Sequence, residues 1–251
     1  MKTLAIIPAR YNSTRLPGKP LMDIKGKTMI QRVYEQVQAC SKLDSICVAT
    51  DDMRIFTHVQ SFGGNVCMTS SDIANGTARC LAAFSVLQKQ QNIEADVIVN
   101  IQGDEPFISP LAIESLLDCF ENDEVEIATL TKKIQNVQQL MDPNVVKLVK
   151  SKNNWALYFS RQAIPYNRAI EDKNLWLTHS FYYKHIGLYA YRPHILEQLV
   201  QLAPSSLEEV EKLEQLRWIE NDFRIFAKET MYESISVDTM EDLEYIIKNI
   251  A

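Results

Sequence analysis

Ile6-Ile7-Pro8-Ala9-Arg10-Tyr11-Asn12-Ser13-Thr14-Arg15-Leu16-Pro17-Gly18-Lys19-Pro20-Leu21 is the stretch on which the reading of this 251-residue chain turns. The apolar run Thr3 to Ala9 predicts a buried strand, and it empties into a loop carrying Arg10, Arg15 and Lys19. In an open α/β sheet, ligands sit beyond the carboxyl ends of the strands. Three cations there, on a chain of formal net charge −6, ask for a small polyanion, and a nucleoside triphosphate is the natural candidate. The loop is none of the common phosphate loops. G-x-G-x-x-G is absent, and Gly18-Lys19 runs into Pro20 instead of Ser or Thr. With few glycines to offer free amides, charge must come from side chains and metal. Pro17 and Pro20 stiffen the loop around Gly18, which has no side chain to hinder a tight turn. For any single Arg a solvated surface role is the competing reading.

The bulk composition narrows the class. Hydrophobic residues make up 46% and charged residues 23%, as in an ordinary globular enzyme. The acidic balance argues against a nucleic-acid binder, which carries a basic face. No apolar run approaches the ~20 residues of a membrane span, and Met1-Lys2 leads straight into a strand without a signal-peptide pattern. Cys40, Cys47, Cys67, Cys80 and Cys119 are odd in number, and no two form C-x-x-C. They read as reduced core residues of a cytoplasmic protein, not as a zinc site.

Strands and helices alternate through the first half. Strands are predicted at Thr3–Ala9, Ser45–Thr50, Asn65–Met68 and Asp96–Ile101. Helices are predicted at about 28–40, 53–62, 77–90 and 110–121. Apolar strands separated by amphipathic helices indicate a mostly parallel sheet covered on both faces. From Val125 the pattern changes. Glu126–Leu130 and Ile186–Tyr191 are strand-like, and Val145–Lys150 and Trp155–Ser160 flank the hairpin signal Ser151-Lys152-Asn153-Asn154. Arg161 to Tyr183 is irregular and aromatic-rich, and a helix begins near Pro193. Ser206-Leu207-Glu208-Glu209 reads as a capping box opening a helix to Ile219. Strands near 224–227 and 234–237 and a terminal helix from Thr239 to Asn249 complete the chain.

Three sets of residues carry chemistry. Gln102, Asp104 and Glu105 end a buried strand, where Asp104 fits either a Mg²⁺ ligand or a turn cap. Asp238 follows the last strand, with Thr239 and Asp242 placed to cap the final helix. Arg161, His185, Glu214 and Gln215 mix a guanidinium, which binds carboxylates bidentately, with hydrogen-bonding groups. Each also has a structural reading: a partly buried His, or polar residues on the wet face of a helix. Asp51 reads as a helix cap.

These motifs together resemble the sugar nucleotidyltransferases, and among them the 3-deoxy-manno-octulosonate cytidylyltransferase (CMP-Kdo synthetase) family, over nearly the whole chain. The resemblance implies an α/β fold: a three-layer, mostly parallel sheet of the nucleotide-diphospho-sugar transferase type. A smaller β-rich insert would form the sugar site and the dimer interface. One domain over 1–251 is implied, with a nucleotide-binding part at about 1–125, the insert at about 143–190, and a return to the core at about 220–251. It implies Mg²⁺ on Asp104 and Asp238, carried by neighbouring parallel strands, and phosphate contacts from Arg10, Arg15 and Lys19. Nucleotide contacts would come from Ala9, Asn75, Gly76, Thr77, Arg79 and Gln102, and sugar contacts from Arg161, His185, Glu214 and Gln215. The partners implied are CTP, an acidic 3-deoxy sugar and a second copy of the chain. The aromatic segment Trp155–Tyr166 with Trp176, Phe181, Tyr182 and Tyr183 serves either as that interface or as core. Where the family shows His-x-Ser-Gly-Thr-Asp-Arg, this chain has Ile73-Ala74-Asn75-Gly76-Thr77-Ala78-Arg79. The departures fall on the loop that reads base and ribose, so they bear on base preference or on a modified sugar. An 8-amino-Kdo or sialic acid cytidylyltransferase is the near alternative; a nicotinamide-dependent oxidoreductase or a non-catalytic nucleotide-binding regulator is the remote one.

Overall fold

In a computed structural model, which describes residues 1–12, 16–179, 181–233 and 235–249, the apolar first strand becomes the spine of the sheet. The first half runs β1 (Thr3–Ala9), β2 (Asp23–Ile24), β3 (Lys27–Thr28), α1 (Met29–Gln38), β4 (Ser45–Thr50) and α2 (Met53–Ser61). It continues with β5 (Val66–Met68), α3 (Gly76–Gln91), β6 (Val97–Asn100) and α4 (Pro110–Leu117). Then come β7 (Ile127–Lys133), α5 (Val137–Met141), β8 (Lys147–Lys150), β9 (Ala156–Ser160), α6 (Trp176–His179) and β10 (Tyr183–Tyr191). The chain ends with α7 (Pro193–Gln201), α8 (Ser206–Glu211), α9 (Glu214–Glu220), β11 (Phe226–Glu229) and α10 (Met240–Asn249).

The sheet order is β11-β7-β10-β6-β1-β4-β5, with β8 paired to β10 and β9 to β8. The pairs β6–β1, β1–β4, β4–β5 and β7–β11 are parallel, while β10 runs antiparallel to both β6 and β7. Side chains of β1 alternate between two cores. Ala5, Ile7 and Ala9 pack with Ile30 and Val33 of α1 and Ile113 of α4. Leu4 and Ile6 pack with Cys80 and Phe84 of α3 and Leu196 of α7. Three layers follow from that alternation, because a strand buried on both faces needs helices on both. All five cysteines are buried and unbridged, as expected of small core residues. No described helix is long and apolar enough to cross a membrane.

The hairpin β8–β9 turns where Asn154 takes a left-handed conformation (φ 64°), as its sequence predicts. It joins the main sheet through β10. Trp176 and Tyr182 of the aromatic segment are core, stacked at 5.9 Å beside Ile134 and Leu140, whereas Leu157, Tyr166 and Phe181 are exposed. Two expectations need correction. The helix expected from Ser206 to Ile219 is two helices, because Lys212 turns left-handed (φ 52°) between α8 and α9. Its capping box also starts one residue earlier, with the Ser205 N–H donating to Glu208 at 3.3 Å. The strand expected at 234–237 is absent over 235–237, Ser234 lying outside the described residues. There the Val237 N–H donates to the Asp104 carbonyl at 2.9 Å, so the segment crosses a strand end instead of extending the sheet.

Lys147 is fully buried and holds the insert together. Its ammonium donates to the carbonyls of Asp142 (2.8 Å), Val145 (2.6 Å) and Arg161. Lys147→Met would leave those acceptors unpaired, at about 1–3 kcal/mol for each group that water cannot reach. We expect it to lower the urea-unfolding free energy by about 2–4 kcal/mol; an unchanged midpoint would contradict this role.

Candidate active site

The carboxyl ends of β1 and β6 are held side by side by a backbone contact. A Cβ placed on Gly103 would lie 2.7 Å from the Pro8 carbonyl oxygen, so only glycine lets the loop after β6 lie against the end of β1. Beyond β1 the cationic loop folds back on itself. Gly18, at φ 72°, donates its N–H to the Tyr11 carbonyl at 2.9 Å and packs on the Tyr11 ring. The Arg54 guanidinium stacks on the same ring, 3.2 Å from its centroid, and pairs with Asp52 at 2.6 Å.

That closure aims Lys19 at two acids from distant parts of the chain. Its ammonium lies 2.7 Å from Asp104 Oδ2, 3.3 Å from Asp238 Oδ1 and 2.7 Å from the Val237 carbonyl. The acids do meet, but through an irregular segment and not through neighbouring parallel strands. Asp238 is fixed by the cap of α10: Asp242 Oδ2 accepts from the N–H groups of Asp238 and Thr239, both at 2.9 Å. Hard oxygen donors converging on one positive point suit Mg²⁺ as well as an ammonium. Among the described residues no group of three His, Cys, Asp or Glu side chains forms a metal site. Mg²⁺ here would therefore draw its further ligands from substrate oxygens and water, as it commonly does.

Two cavities open on either side of Asp104. One, of about 350 Å³, is lined by Ala9, Arg10, Lys19, Asn75, Gly76 and Arg79, with Asp238 at its edge. The other, of about 500 Å³, is lined by Thr77, Lys184, His185, Glu214, Gln215 and Trp218, among others. Gln102 and Asp104 belong to both. Of the residues singled out in the sequence, Arg15 lies outside the described residues. Arg10 is exposed at the mouth of the smaller cavity. Arg79 is buried and pairs with Asp51 at 2.9 Å, so Asp51 is not a helix cap; Asp52 caps α2 instead, accepting from the Arg54 N–H at 2.8 Å. Arg161 is not brought to the larger cavity. Its guanidinium donates to the carbonyls of Glu211 (2.7 Å), Pro143 (3.0 Å) and Lys212 (3.4 Å), tying the insert to the end of α8.

His185 and Glu214 both line the larger cavity and are tuned by burial. The β10–β7 pairing shifts register between Ile186 and Tyr189, just after His185. One edge faces the cavity, yet the surrounding protein strips enough water from the imidazole to push its pKa down to about 3. His185 Nε2 lies 3.1 Å from Thr129 Oγ1, whose hydroxyl also reaches the carbonyls of Ile186 (3.1 Å) and Leu188 (2.9 Å). Burial also raises the Glu214 carboxyl above its ordinary range, while the Thr77 hydroxyl, donating at 3.0 Å, counteracts this. Sequence reasoning missed the floor: Tyr189 and Tyr191 stack at 6.0 Å, and Trp218 meets both edge-on. The two tyrosines alternate with His185 on one strand, a period that marks them as one face.

A family model described as cytidylyltransferase matches residues 4–235. The chain belongs to the cytidylyltransferase family. A 3-deoxy-manno-octulosonate cytidylyltransferase of Parabacteroides distasonis is 50% identical over 255 residues, covering all of this chain and 99% of that protein. Its counterpart from Thermodesulfovibrio yellowstonii is 46% identical over 246 residues, covering 97% of this chain and 96% of that one. The solved structure of a CMP:2-keto-3-deoxy-manno-octonic acid synthetase complexed with CTP has a TM-score of 0.89 at 40% identity, covering 98% of this chain and 97% of its own. A Leptospira borgpetersenii cytidylyltransferase at 19% identity (TM-score 0.62) shares the fold. The nucleotide-sugar transferase-like fold implied by the sequence is thus the fold observed.

The His185 shift gives a stability prediction with a definite sign. The folded-state pKa lies below the ordinary 6.5, so the unfolded chain takes up a proton that the native protein refuses. Stability from this group is complete above pH 6.5 and is lost as pH falls toward 3, with a slope of at most about 1.4 kcal/mol per pH unit. Unfolding of wild type and His185→Gln, followed from pH 7 to 4, should show the variant losing less; parallel curves would refute the assignment.

Proposed function

We propose that this enzyme transfers CMP from CTP to the anomeric hydroxyl of 3-deoxy-D-manno-octulosonate (Kdo), releasing pyrophosphate and activating the sugar for lipopolysaccharide synthesis. The observation that carries the reading is the pair of cavities meeting at Asp104, with a cation position between them. The smaller cavity has the cations for a triphosphate; the larger has the hydroxyl-binding groups for a sugar. The anomeric oxygen attacks the α-phosphorus as the bond to the pyrophosphate oxygen breaks, and the hydroxyl proton passes to solvent. Positioning and charge neutralisation supply most of such catalysis, and no covalent intermediate is needed.

Arg10 and Lys19 would hold the phosphates, joined by Arg15, and Lys19 is placed to offset charge growing on the departing pyrophosphate. Asp104 and Asp238 would hold Mg²⁺, which when bound would supply Lewis-acid polarisation of a phosphate and a lowered pKa for a nearby hydroxyl. His185, Glu214 and Gln215 would fix the sugar. Ala9, Asn75, Gly76 and Gln102 would shape the nucleotide site, with Arg79 bracing it through Asp51. A cytoplasmic homodimer is the assembly we favour, supported by the exposed Leu157, Tyr166 and Phe181.

An 8-amino-Kdo or sialic acid substrate is the nearest rival, favoured by Ile73, Asn75 and Ala78 in the loop before α3. Product mass spectrometry with CTP, Mg²⁺ and each acid sugar separates these readings. With the preferred sugar, Asp104→Asn and Asp238→Asn should each lower kcat about 100-fold or more, a loss of several kcal/mol of metal-borne stabilisation. Near-normal pyrophosphate release by either variant would overturn the metal assignment.

A further inference from the structure

The two cavities are joined by more than a shared floor. Asn75, at the nucleotide cavity, caps α3 with one end of its amide: Oδ1 accepts from the Ala78 N–H at 2.8 Å. The other end, Nδ2, donates to Glu214 Oε1 at 3.0 Å, across the wall of the sugar cavity. Thr77 Oγ1 donates to Glu214 Oε2 at 3.0 Å. Each carboxylate oxygen thus receives one donor from the first turn of α3, and 137 to 139 residues separate the partners. An ionised carboxylate has about four acceptor positions. Two are left over on a carboxylate whose residue lines the larger cavity. A Ser at position 75, as in the resembling pattern, caps a helix equally well but has no second arm to reach Glu214.

We propose that Asn75 is a positioning residue for the sugar, acting from the nucleotide cavity through Glu214, and that this strut makes acceptor recognition depend on the nucleotide loop. The inference rests on the functional reading above in taking the larger cavity as the acceptor site. The same carboxylate that meets acceptor hydroxyls orders the start of α3, so the two substrate sites share one energy term. Burial raises the Glu214 carboxyl, and the Thr77 hydroxyl opposes that shift. Both donors from α3 use the carboxyl oxygens as acceptors and so fix its plane.

Three variants test this. Asn75→Ser keeps the cap and removes the strut; Thr77→Val removes the second donor and leaves the cap untouched; Glu214→Gln removes the charge. For Asn75→Ser, the acceptor KM should rise by a clearly larger factor than the CTP dissociation constant measured alone by calorimetry, because the cap survives and the strut does not. The acceptor KM should rise about tenfold with a smaller change in kcat, the usual scale for one hydrogen bond to a charged group. Thr77→Val should shift the acceptor KM in the same direction. Asn75→Ser should add little in the Glu214→Gln background, since both cut one link. Independent, multiplying effects, or an Asn75→Ser variant that weakens only CTP, would overturn the proposal. If the wild type accepts no acid sugar at all, the functional reading falls instead.

Discussion

An ammonium held between two carboxylates is the constraint on which this active site depends. Lys19 comes from the loop after the first strand, Asp104 from the loop after β6, and Asp238 from the segment before the last helix. Bringing the two acids this close would be repulsive without a cation between them. With one, three loops that share no secondary structure are fixed at a single point. Each has its own support: Gly18 and Tyr11 close the first loop, Gly103 lets the second lie against Pro8, and Asp242 caps the third. The cost of assembling them is met by packing elsewhere, in the two cores on either side of β1.

The cation position also divides the labour between the cavities. On one side charge dominates, with Arg10 and Lys19 facing the space a triphosphate would fill. On the other side hydrogen-bonding groups join charged ones, with a His185 ring kept neutral by desolvation and a Glu214 carboxyl held by donors from α3. An acid sugar and a triphosphate repel each other in water. A cation position shared by the two cavities would relieve that conflict without a covalent intermediate. Tyr189, Tyr191 and Trp218 pack ring against ring along the larger cavity.

Periodicity and strand-end chemistry made much of this legible before any coordinates. The run Thr3–Ala9 read as a buried strand because it is apolar on both faces, and the cations after it had to lie at a carboxyl end. Asp104 was visible for the same reason. What could not be read was long-range partnership. Arg161 has the right chemistry for a sugar carboxylate, but three backbone carbonyls take up its guanidinium, and only the fold of the insert decides that. Nothing in the sequence separates Lys147 from Lys150 on the same strand, yet it is a buried staple. The segment before Asp238 has strand-like composition, yet its backbone finds the Asp104 carbonyl instead of a sheet edge. The break at Lys212 escaped the capping signal because a left-handed lysine carries no compositional mark.

The most direct test of this account is the position of a divalent cation in crystals grown with CTP and Mn²⁺, located by anomalous scattering. The account predicts a metal bonded to both Asp104 and Asp238, with the Lys19 ammonium moved off the acid pair and onto the phosphates. A metal held by neither acid, or Lys19 still bridging them in the loaded protein, would contradict it.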